Sequence, residues 1–258
     1  MNQPLRQRVR GGEVVLGAFI KIGDGQVAEL LGRTGLDFAI IDAEHAPFDL
    51  TAIDRVVLGG LSAGLPCLVR PPDRTASFIG QCLDLGAAGV LAPHVTSEEA
   101  ARGVVRAARY DSGHRGFSPS TRAGGYGAGG AAAYRDRADR ETSIWCQIED
   151  AEAIEHLDAI AAVDAVDCLF LGRADLALSL GVERQDDPKV VAAVRATAEA
   201  GRRHGRAVGV YIGDTSEIPD FLALGVTAFV CGSDQSWLLV QGRRNRGDLD
   251  EAVGGSGG

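Results

Sequence analysis

The sequence lacks the features that would place it in several large functional classes. It has no apolar run long enough to cross a bilayer, and the opening MNQPLRQRVRGGE has no apolar core of signal-peptide length. Positive charge is in the minority, because 26 Lys and Arg face 35 Asp and Glu, giving a net charge of −9 and a pI near 5.1. We therefore expect no membrane partner and no nucleic-acid partner.

Cysteine is scarce, and its spacing shows no paired metal-ligand pattern. The five cysteines are odd in number and scattered, at Cys67, Cys82, Cys146, Cys168 and Cys231. Four of them fall in strand-like apolar runs, so we interpret them as buried thiols of a protein in the reducing cytoplasm. Aromatic residues are also few, at 5%, but the 45% of apolar residues is enough for a sizeable core of small aliphatic side chains.

Eight short apolar runs alternate with segments of helical character. The runs are residues 15–20, 38–44, 67–71, 89–95, 144–148, 168–171, 206–212 and 229–234. Their continuous apolar character is typical of parallel strands that are covered on both sides. Eight such βα units in 258 residues predict an α/β fold, a closed (β/α)8 TIM barrel. The alternative is an open doubly wound sheet, but no GxGxxG follows the first strand.

No linker composition divides the chain, so residues 1–252 are predicted to form one barrel domain. Residues 253–258, which end in GGSGG, are predicted to be a flexible tail. Residues 151–163 are predicted to form one amphipathic helix. Residues 110–142 show no clear element, are rich in Gly, Ser and Arg, and join a helix to the fifth strand. This loop leaves from the amino-terminal face of its barrel, so a neighbouring subunit's active site is the one it could serve.

Two carboxylates follow neighbouring strands at the end where parallel barrels carry their chemistry. Glu149 follows the fifth strand and Asp175 follows the sixth. Two hard oxygen ligands in this position indicate a site for a divalent cation. The alternative is that each acid only caps the helix that comes after it.

Other polar residues follow strands at the same end. His45 follows the second strand, Arg70 ends the third, and Gln147 shares one strand face with Glu149. Each has a structural explanation when it is taken singly, such as a surface ion pair. Together they suit one reaction type, in which a metal polarises a 2-oxo acid, an arginine holds its carboxylate through two hydrogen bonds and a histidine moves protons.

Five sequence blocks carry a resemblance to a known enzyme family. In order, between residues 16 and 237, they are FAIIDAEHAPFD, LVRPP, LDLGAAGVLAPHV, QIED and GRADLALSLG. They resemble the HpcH/HpaI family of class II, metal-dependent pyruvate aldolases, which includes 4-hydroxy-2-oxoheptanedioate and 2-dehydro-3-deoxyglucarate aldolases. The resemblance implies reversible aldol addition of pyruvate or hydroxypyruvate to an aldehyde, with Mg²⁺, Mn²⁺ or Co²⁺ as the cofactor.

The resemblance also implies roles for individual residues. Glu149 and Asp175 would be the metal ligands, and Arg70 would hold the carboxylate of the donor. His45 would be an acid/base group, paired with an aspartate that matches Asp84. The other positions implied for substrate binding are Phe19, Gln147, Gly172, Ala174, Asp175 and Ile212.

The position of Asp84 bears on assembly. It falls at the end of the helix after the third strand, on the barrel face opposite the metal. It can partner His45 only if it reaches the site of an adjoining subunit, as the 110–142 loop would. We therefore predict a homo-oligomer with sites completed across an interface, and the resemblance implies a hexamer.

The chain departs from the family pattern at Arg173, where the family usually has proline, and in the segment 114–127. Arg173 would either read an acidic acceptor or form a surface ion pair, and the acceptor aldehyde stays open. A Schiff-base aldolase would need a lysine at the mouth, and of Lys21 and Lys189 only Lys21 follows a strand there.

Two further functions stay open. A malyl- or citryl-CoA lyase would use the same enolate chemistry, with Arg115 and Arg122 as candidates to bind CoA phosphates. A barrel without catalysis would serve as a sensor or an assembly module. Activity on free hydroxy-oxo acids without CoA would distinguish the aldolase from the CoA lyase. Metal binding would distinguish it from the barrel without catalysis.

Overall fold

The computed structural model of this chain describes residues 3–254. Eight parallel strands, hydrogen-bonded to one another in sequence order, close into a barrel. The strands are β1 (Val15–Ile20), β2 (Phe38–Asp42), β3 (Cys67–Arg70), β4 (Gly89–Ala92), β5 (Ser143–Ile148), β6 (Cys168–Leu171), β7 (Ala207–Ile212) and β8 (Ala228–Ser233). The predicted (β/α)8 barrel is confirmed, and the open sheet is excluded because β8 pairs with β1.

Twelve α-helices surround the barrel in the described part of the chain. They are α1 (Leu5–Arg10), α2 (Gly25–Leu31), α3 (Leu50–Ala63), α4 (Ala76–Asp84), α5 (Glu98–Ala108), α6 (Ala131–Glu141), α7 (Ala151–Glu155), α8 (Leu157–Ala161), α9 (Arg173–Ser179), α10 (Pro188–His204), α11 (Ile218–Ala223) and α12 (Asp234–Gly254). Polar N-cap residues fix where several helices begin. The Asp49 side chain accepts a hydrogen bond from a first-turn N–H of α3, and the Ser97 side chain does the same for α5.

Aromatic rings fill the barrel interior despite the low aromatic content of the chain. The ring centroid of Trp145 lies 5.1 Å from that of Phe38 and 6.0 Å from that of Phe170, and all three side chains are buried. Two glycines, one on β1 and one on β7, make room for them. A Cβ on Gly17 would lie 2.6 Å from the Phe38 ring, and a Cβ on Gly209 would lie 2.6 Å from the Phe170 ring. The interior is therefore a packed core, and a ligand can enter only at its mouth.

Gly17→Ala is expected to lower the thermal midpoint, because the added methyl must displace the Phe38 ring inside a closed barrel. Overpacking of this kind costs about 1–3 kcal/mol. Gly103→Ala is the matched control, since Gly103 lies inside α5 and no neighbouring atom is within 4 Å of its added Cβ. The control should gain up to about 1 kcal/mol from helix propensity. Thermal unfolding followed by circular dichroism checks both, and equal midpoints would contradict the packing argument.

The amino-terminal end of the barrel is closed by α1, a helix that the sequence did not predict. Leu5 packs into the same cluster as the aromatic core. Arg6 Nε donates to the carboxylate of Asp167 at 3.0 Å, and Arg10 binds the same carboxylate. Asp167 is fully buried and also accepts the backbone N–H of Ile144 in β5. These contacts fix α1 across the end of the barrel that is opposite the mouth.

Two local predictions were wrong. Residues 151–163 form not one helix but two, α7 and α8, because His156 between them has φ −113° and ψ 12°. Residues 110–142 contain α6 and a short 3₁₀ turn. α6 buries only Tyr134, whose ring packs against those of Tyr110 and Phe117. A helix with one buried position shows no apolar periodicity, so no sequence pattern indicates it.

The last helix, α12, is 21 residues long and extends into the segment predicted to be a tail. Residues 253 and 254 are helical, and residues 255–258 lie outside the described part of the chain. Across residues 3–254 no helix is long and apolar enough to span a membrane.

Candidate active site

A cavity of about 260 Å³ opens at the carboxyl ends of the strands. This is the face on which (β/α)8 barrels carry their active sites. Of the predicted site residues, the cavity is lined by Phe19, His45, Arg70, Gln147, Gly172, Ala174 and Asp175. Closure of the barrel therefore brings the ends of five strands together at one site.

Arg70 is held in a fixed orientation by a buried carboxylate. Its Nε donates to Asp42 Oδ1 at 3.0 Å, and its Nη2 lies 2.8 Å from Asp42 Oδ2. Its Cζ lies 4.7 Å from the centre of the Phe19 ring. Burial raises the pKa of Asp42, but the hydrogen bond and charge of Arg70, together with hydrogen bonds from Lys21 and the backbone of His45, lower it overall. With the Nε side bound to Asp42, the Nη1–Nη2 edge of the guanidinium is the one left for a ligand carboxylate.

Neither lysine supports the Schiff-base alternative. Lys21 lines the cavity, but its Nζ forms an ion pair with Asp42 Oδ2 at 2.7 Å. A Schiff-base aldolase needs a lysine that presents a free amine to the substrate carbonyl. Lys189 lies in the first turn of α10, where it is exposed on the outer helical layer.

Glu149 is a buried acid beside the cavity, with a side chain that is only 2% exposed. Gln147 donates a short hydrogen bond from Nε2 to Glu149 Oε2, and the backbone N–H of His94 donates to Oε1 at 2.8 Å. Burial raises the pKa of Glu149, and the charges of Glu44 and Asp175 raise it further against the opposing effect of His94. Such crowding of negative charge in a buried place favours a bound cation.

Gly172 joins β6 to α9 beside these polar groups. A Cβ at this position would lie 2.9 Å from Glu149 Oε2 and 3.0 Å from Gln147 Nε2. Any larger residue would therefore fill the space next to the carboxylate. Gly172 keeps the approach to Glu149 open for a ligand.

The structure adds two residues to which the sequence assigned no role, Glu44 and His94. One ligand atom from each of Glu44, His94 and Glu149 lies within 4.8 Å of the others. His94 lies two residues beyond β4 and Glu44 two residues beyond β2. The rule that strand ends carry chemistry, applied to the fourth strand as well, would have found His94.

Three carboxylates, those of Glu44, Glu149 and Asp150, lie close to the imidazole of His94. Its Nδ1 lies 3.0 Å from Asp150 Oδ2, and its Nε2 lies 3.6 Å from Glu44 Oε1. Partial burial lowers the pKa of His94, but the hydrogen bond to Asp150 and the nearby carboxylates outweigh it, so the pKa is raised. The imidazole is thus in a place that favours positive charge.

Ile212 was predicted to bind substrate, but its side chain is fully buried and packs with Val210 and Phe221 in the layer between strands and helices. Successive residues of a strand face opposite sides. Tyr211 lines the cavity instead, and its ring centroid lies 6.0 Å from that of Phe19. The structure therefore brings Tyr211, and not the Ile212 side chain, to the cavity wall.

Asp84 is the last residue of α4, at the amino-terminal side of the barrel and away from His45 of the same chain. Its Oδ1 accepts a hydrogen bond from Arg115 Nη2 at 2.8 Å. Arg115 Nη2 also lies 3.2 Å from the hydroxyl of Tyr134, so residues of the 110–142 segment hold Asp84 in place. The structure does not bring Asp84 and His45 together in one chain, and their pairing stays a prediction about an oligomer.

Arg173 lies at the rim of the cavity in an ion pair. Its Nη2 lies 2.8 Å from Glu217 Oε2 and donates to the backbone oxygen of Tyr211 at 3.0 Å. Its Cζ lies 4.8 Å from the centre of the Phe221 ring. Of the two interpretations of Arg173, the structure shows the ion pair, although the residue still lines the cavity.

The arrangement fits a divalent cation. Glu44 Oε2 and Gln147 Oε1 are buried oxygens without a hydrogen-bond partner among the residues that the structure describes. With Glu149 and Asp175 they supply hard oxygen donors beside the space that Gly172 leaves open. The carboxylates of Glu44 and Glu149, which have ligand oxygens within 4.8 Å of each other, are stabilised when a cation neutralises them.

The chain is similar to proteins of one family in both sequence and fold. The profile of the HpcH/HpaI aldolase/citrate lyase family matches residues 16–239. The hydroxypyruvate/pyruvate aldolase of Pseudomonas aeruginosa is 36% identical over 241 residues, which cover 91% of this chain and 88% of that protein. The 4-hydroxy-2-oxovalerate aldolase of Rhodococcus jostii is 34% identical, with coverages of 93% and 95%. The crystal structure of an HpcH/HpaI aldolase/citrate lyase family protein from Burkholderia cenocepacia matches with a TM-score of 0.89 at 32% identity, over 95% of this chain and 98% of that one.

Proposed function

This chain belongs to the HpcH/HpaI aldolase/citrate lyase family, and from that membership we propose that it is a carbon–carbon lyase, a pyruvate-type class II aldolase. Its reaction is the reversible addition of pyruvate or hydroxypyruvate, as the enolate donor, to an aldehyde. The single observation that carries the proposal is the fixed guanidinium of Arg70 at the same barrel mouth as the buried acid Glu149. A 2-oxo acid offers a carboxylate that the guanidinium of Arg70 can bind. It also offers a carbonyl that a cation held by Glu149 can polarise.

We propose Glu149 and Asp175 as protein ligands of a divalent cation, Mg²⁺, Mn²⁺ or Co²⁺. When bound, such a cation polarises the carbonyl of the 2-oxo acid and stabilises negative charge on its oxygen. The burial of Glu149 and the open space beside Gly172 support this assignment. Gln147 orients the carboxylate of Glu149 through its hydrogen bond from Nε2.

Arg70 would bind the carboxylate of the donor through two parallel hydrogen bonds from its Nη edge. The backbone of residues 172–175, which line the same cavity, would support it. Because Asp42 already holds the guanidinium, little side-chain entropy is lost when the donor binds. The fixed positive charge also stabilises the enolate as it forms.

His45 would move a proton at the other end of the reaction. Addition transfers a proton from C3 of the donor to water or another base, forms a bond from C3 to the aldehyde carbon and leaves an alkoxide that must be protonated. His45 lines the cavity with a side chain that is 55% exposed, so it can supply that proton and exchange it with solvent. In the cleavage direction the same group takes the proton from the hydroxyl.

An aldol assay with free acids tests this function. Chelator-treated protein is incubated with pyruvate or hydroxypyruvate and a panel of aldehydes, and then again after Mg²⁺, Mn²⁺ or Co²⁺ is restored. We expect a 4-hydroxy-2-oxo acid to form without CoA and only after a metal is restored. Turnover of CoA thioesters alone would instead support the CoA lyase, and a titration without metal binding would support the sensor or assembly module.

We also propose that the chain forms a homo-oligomer, a hexamer, in which a second copy covers α12. Leu238, Leu239 and Val240 of this helix are 65%, 57% and 64% exposed, and the one residue that α12 buries is Asp234. Exposed large apolar side chains grouped in one helix are a candidate contact with another protein surface. Assembly would also allow Asp84 of one subunit to lie close to His45 of another, which is not possible within a single barrel.

Mixing inactive His45→Ala subunits with inactive Asp84→Asn subunits is expected to restore part of the activity. A mixed oligomer contains some sites that receive both a native His45 and a native Asp84. The measurement is aldol turnover after subunit exchange has been shown with differently labelled subunits. Exchanged mixtures that stay inactive, or an active protein that sediments as a monomer, would return Asp84 to its role as the partner of Arg115.

We place the protein in the cytoplasm. Its five cysteines are free thiols. Burial raises the pKa of the Cys67, Cys82 and Cys146 thiols to about 12, which makes them unreactive. Unpaired, unreactive thiols are typical of proteins from reducing compartments.

A further inference from the structure

We infer that Glu217 sets the acceptor preference of this chain by neutralising Arg173 at the rim of the cavity, so that uncharged aldehydes react in preference to aldehydes that carry a carboxylate. The inference rests on the proposed aldolase function and extends it to the class of the acceptor. Arg173 stands where the sequence pattern of the family usually has proline, so this determinant belongs to this chain.

Among residues 3–254, every other lysine or arginine that lines the cavity already has a partner or a role. Lys21 Nζ lies 2.7 Å from Asp42 Oδ2, and Arg70 binds the same carboxylate. The remaining edge of Arg70 is assigned to the carboxylate of the donor. Arg173 is therefore the side chain of this kind that a carboxylate on the acceptor could meet.

Glu217 holds the guanidinium of Arg173 in a fixed place. The Nη2 of Arg173 lies 2.8 Å from Glu217 Oε2 and donates to the backbone oxygen of Tyr211. Glu217 is itself held, because its Oε1 accepts the backbone N–H of Gly213 at 2.9 Å. The side chains of Arg173 and Glu217 are 11% and 33% exposed, so the pair is partly shielded from water and salt. The positive charge of Arg173 is thus matched within the protein before any acceptor binds.

The charged residues around Arg173 make the approach to the rim negative overall. Arg173 lines both the catalytic cavity and an outer groove of about 580 Å³. The lining of that groove holds two arginines, Arg173 and Arg195, and three acids, Asp186, Glu217 and Asp220. A carboxylate that comes along this groove is repelled by the excess of negative charge, whereas an uncharged aldehyde is not.

Glu217→Gln should weaken this preference. Glutamine keeps the volume of the side chain and an oxygen that can accept the N–H of Gly213, but it removes the charge. Arg173 then carries an unmatched positive charge at the rim, and its Nε is a buried donor without a hydrogen-bond partner among the described residues. One such charge, several ångströms away in a partly exposed place, changes the binding of an anion by about tenfold.

The test compares two acceptors of similar length in the same reaction with pyruvate. Succinic semialdehyde ends in a carboxylate, and pentanal ends in a methyl group. The ratio of kcat/KM for the two aldehydes is measured with metal-restored wild type, Glu217→Gln, Arg173→Leu and the double variant. Asp220→Asn is the matched control, because Asp220 is an exposed acid of the same groove, whereas Arg173 pairs with Glu217. Exchange of pyruvate methyl protons in D₂O, without any aldehyde, reports activation of the donor separately.

We expect wild type and Asp220→Asn to prefer pentanal, and Glu217→Gln to shift the ratio about tenfold towards succinic semialdehyde. In the Arg173→Leu background the same substitution should shift the ratio far less, because Glu217 acts through Arg173.

Wild type that prefers succinic semialdehyde overturns the inference, even if no variant folds. An unchanged ratio in folded Glu217→Gln overturns it equally, as does an equal shift in Asp220→Asn or an equal shift with and without Arg173. In each of these cases, normal proton exchange by wild type leaves the proposed function standing. Metal-restored wild type without proton exchange overturns both.

Discussion

Replacing Glu149 by glutamine is expected to lower kcat/KM for the aldol reaction by about a thousandfold or more, which corresponds to roughly 4 kcal/mol of lost transition-state stabilisation. Glutamine keeps the volume of the side chain but removes the negative charge that would hold a cation beside the carbonyl of the donor. Bound metal should be lost together with activity. Glu152→Gln is the matched control, because Glu152 is an exposed acid in the first turn of α7.

Glu149→Gln should lower activity, but we expect that it does not lower the stability of the metal-free protein. Burial raises the pKa of Glu149, so the ionised form is less stable in the folded protein than in water. Without added metal, Glu149→Gln should therefore unfold at a temperature no lower than that of wild type. A variant that loses activity because it is unfolded, or one that keeps full turnover in the presence of chelator, would contradict the assignment of Glu149.

Arg70→Lys is expected to be nearly as damaging as Arg70→Ala, with a loss of about 2–4 kcal/mol in transition-state stabilisation. The guanidinium uses one edge to bind Asp42 and has a second edge for the donor. A lysine ammonium is a point charge and cannot make both pairs of hydrogen bonds in one plane. The ammonium of the substituted lysine would then pair with Asp42 and leave the carboxylate of the donor without a partner, so the donor would lose its orientation.

The measurement is kcat/KM for pyruvate in the aldol direction, with unfolding temperatures as a check on folding. Lys21→Arg is a useful comparison, since Lys21 also binds Asp42 but has no assigned contact with the donor. It should keep most of the activity. If Arg70→Lys retained a value near wild type, Arg70 would not be the residue that holds the carboxylate.

The barrel could be predicted from the sequence because its strands are continuous apolar runs. Such runs as FAIID and CLFL need no knowledge of tertiary structure to be recognised as buried parallel strands. The same rule placed Arg70, Glu149 and Asp175 at one end of the barrel. The helix α6 was not predicted because Tyr134 is the one residue that it buries. The break between α7 and α8 at His156 was not predicted because it depends on local dihedral angles.

The composition of the site was harder to predict for three physical reasons. Tyr211 faces the cavity and Ile212 faces away from it, and which of two successive strand residues faces inward depends on the register of the closed barrel. His94 could have been found at the end of the fourth strand, but the left-handed turn that brings its N–H to Glu149 depends on a backbone angle that the sequence does not indicate. Asp84 is bound to Arg115 in one chain, so its predicted role depends on contacts that only an assembly can provide.

The most direct test of the central claim is the exchange of pyruvate methyl protons with deuterium in D₂O, followed by proton NMR. Exchange reports formation of the enolate and does not depend on which aldehyde is the acceptor. We predict rapid exchange by metal-restored wild-type protein, well above the rate with metal and no protein, and exchange at that background rate by chelated protein and by Glu149→Gln. Equal exchange by chelated and metal-restored protein, or none above background with any of the three metals, would contradict the account.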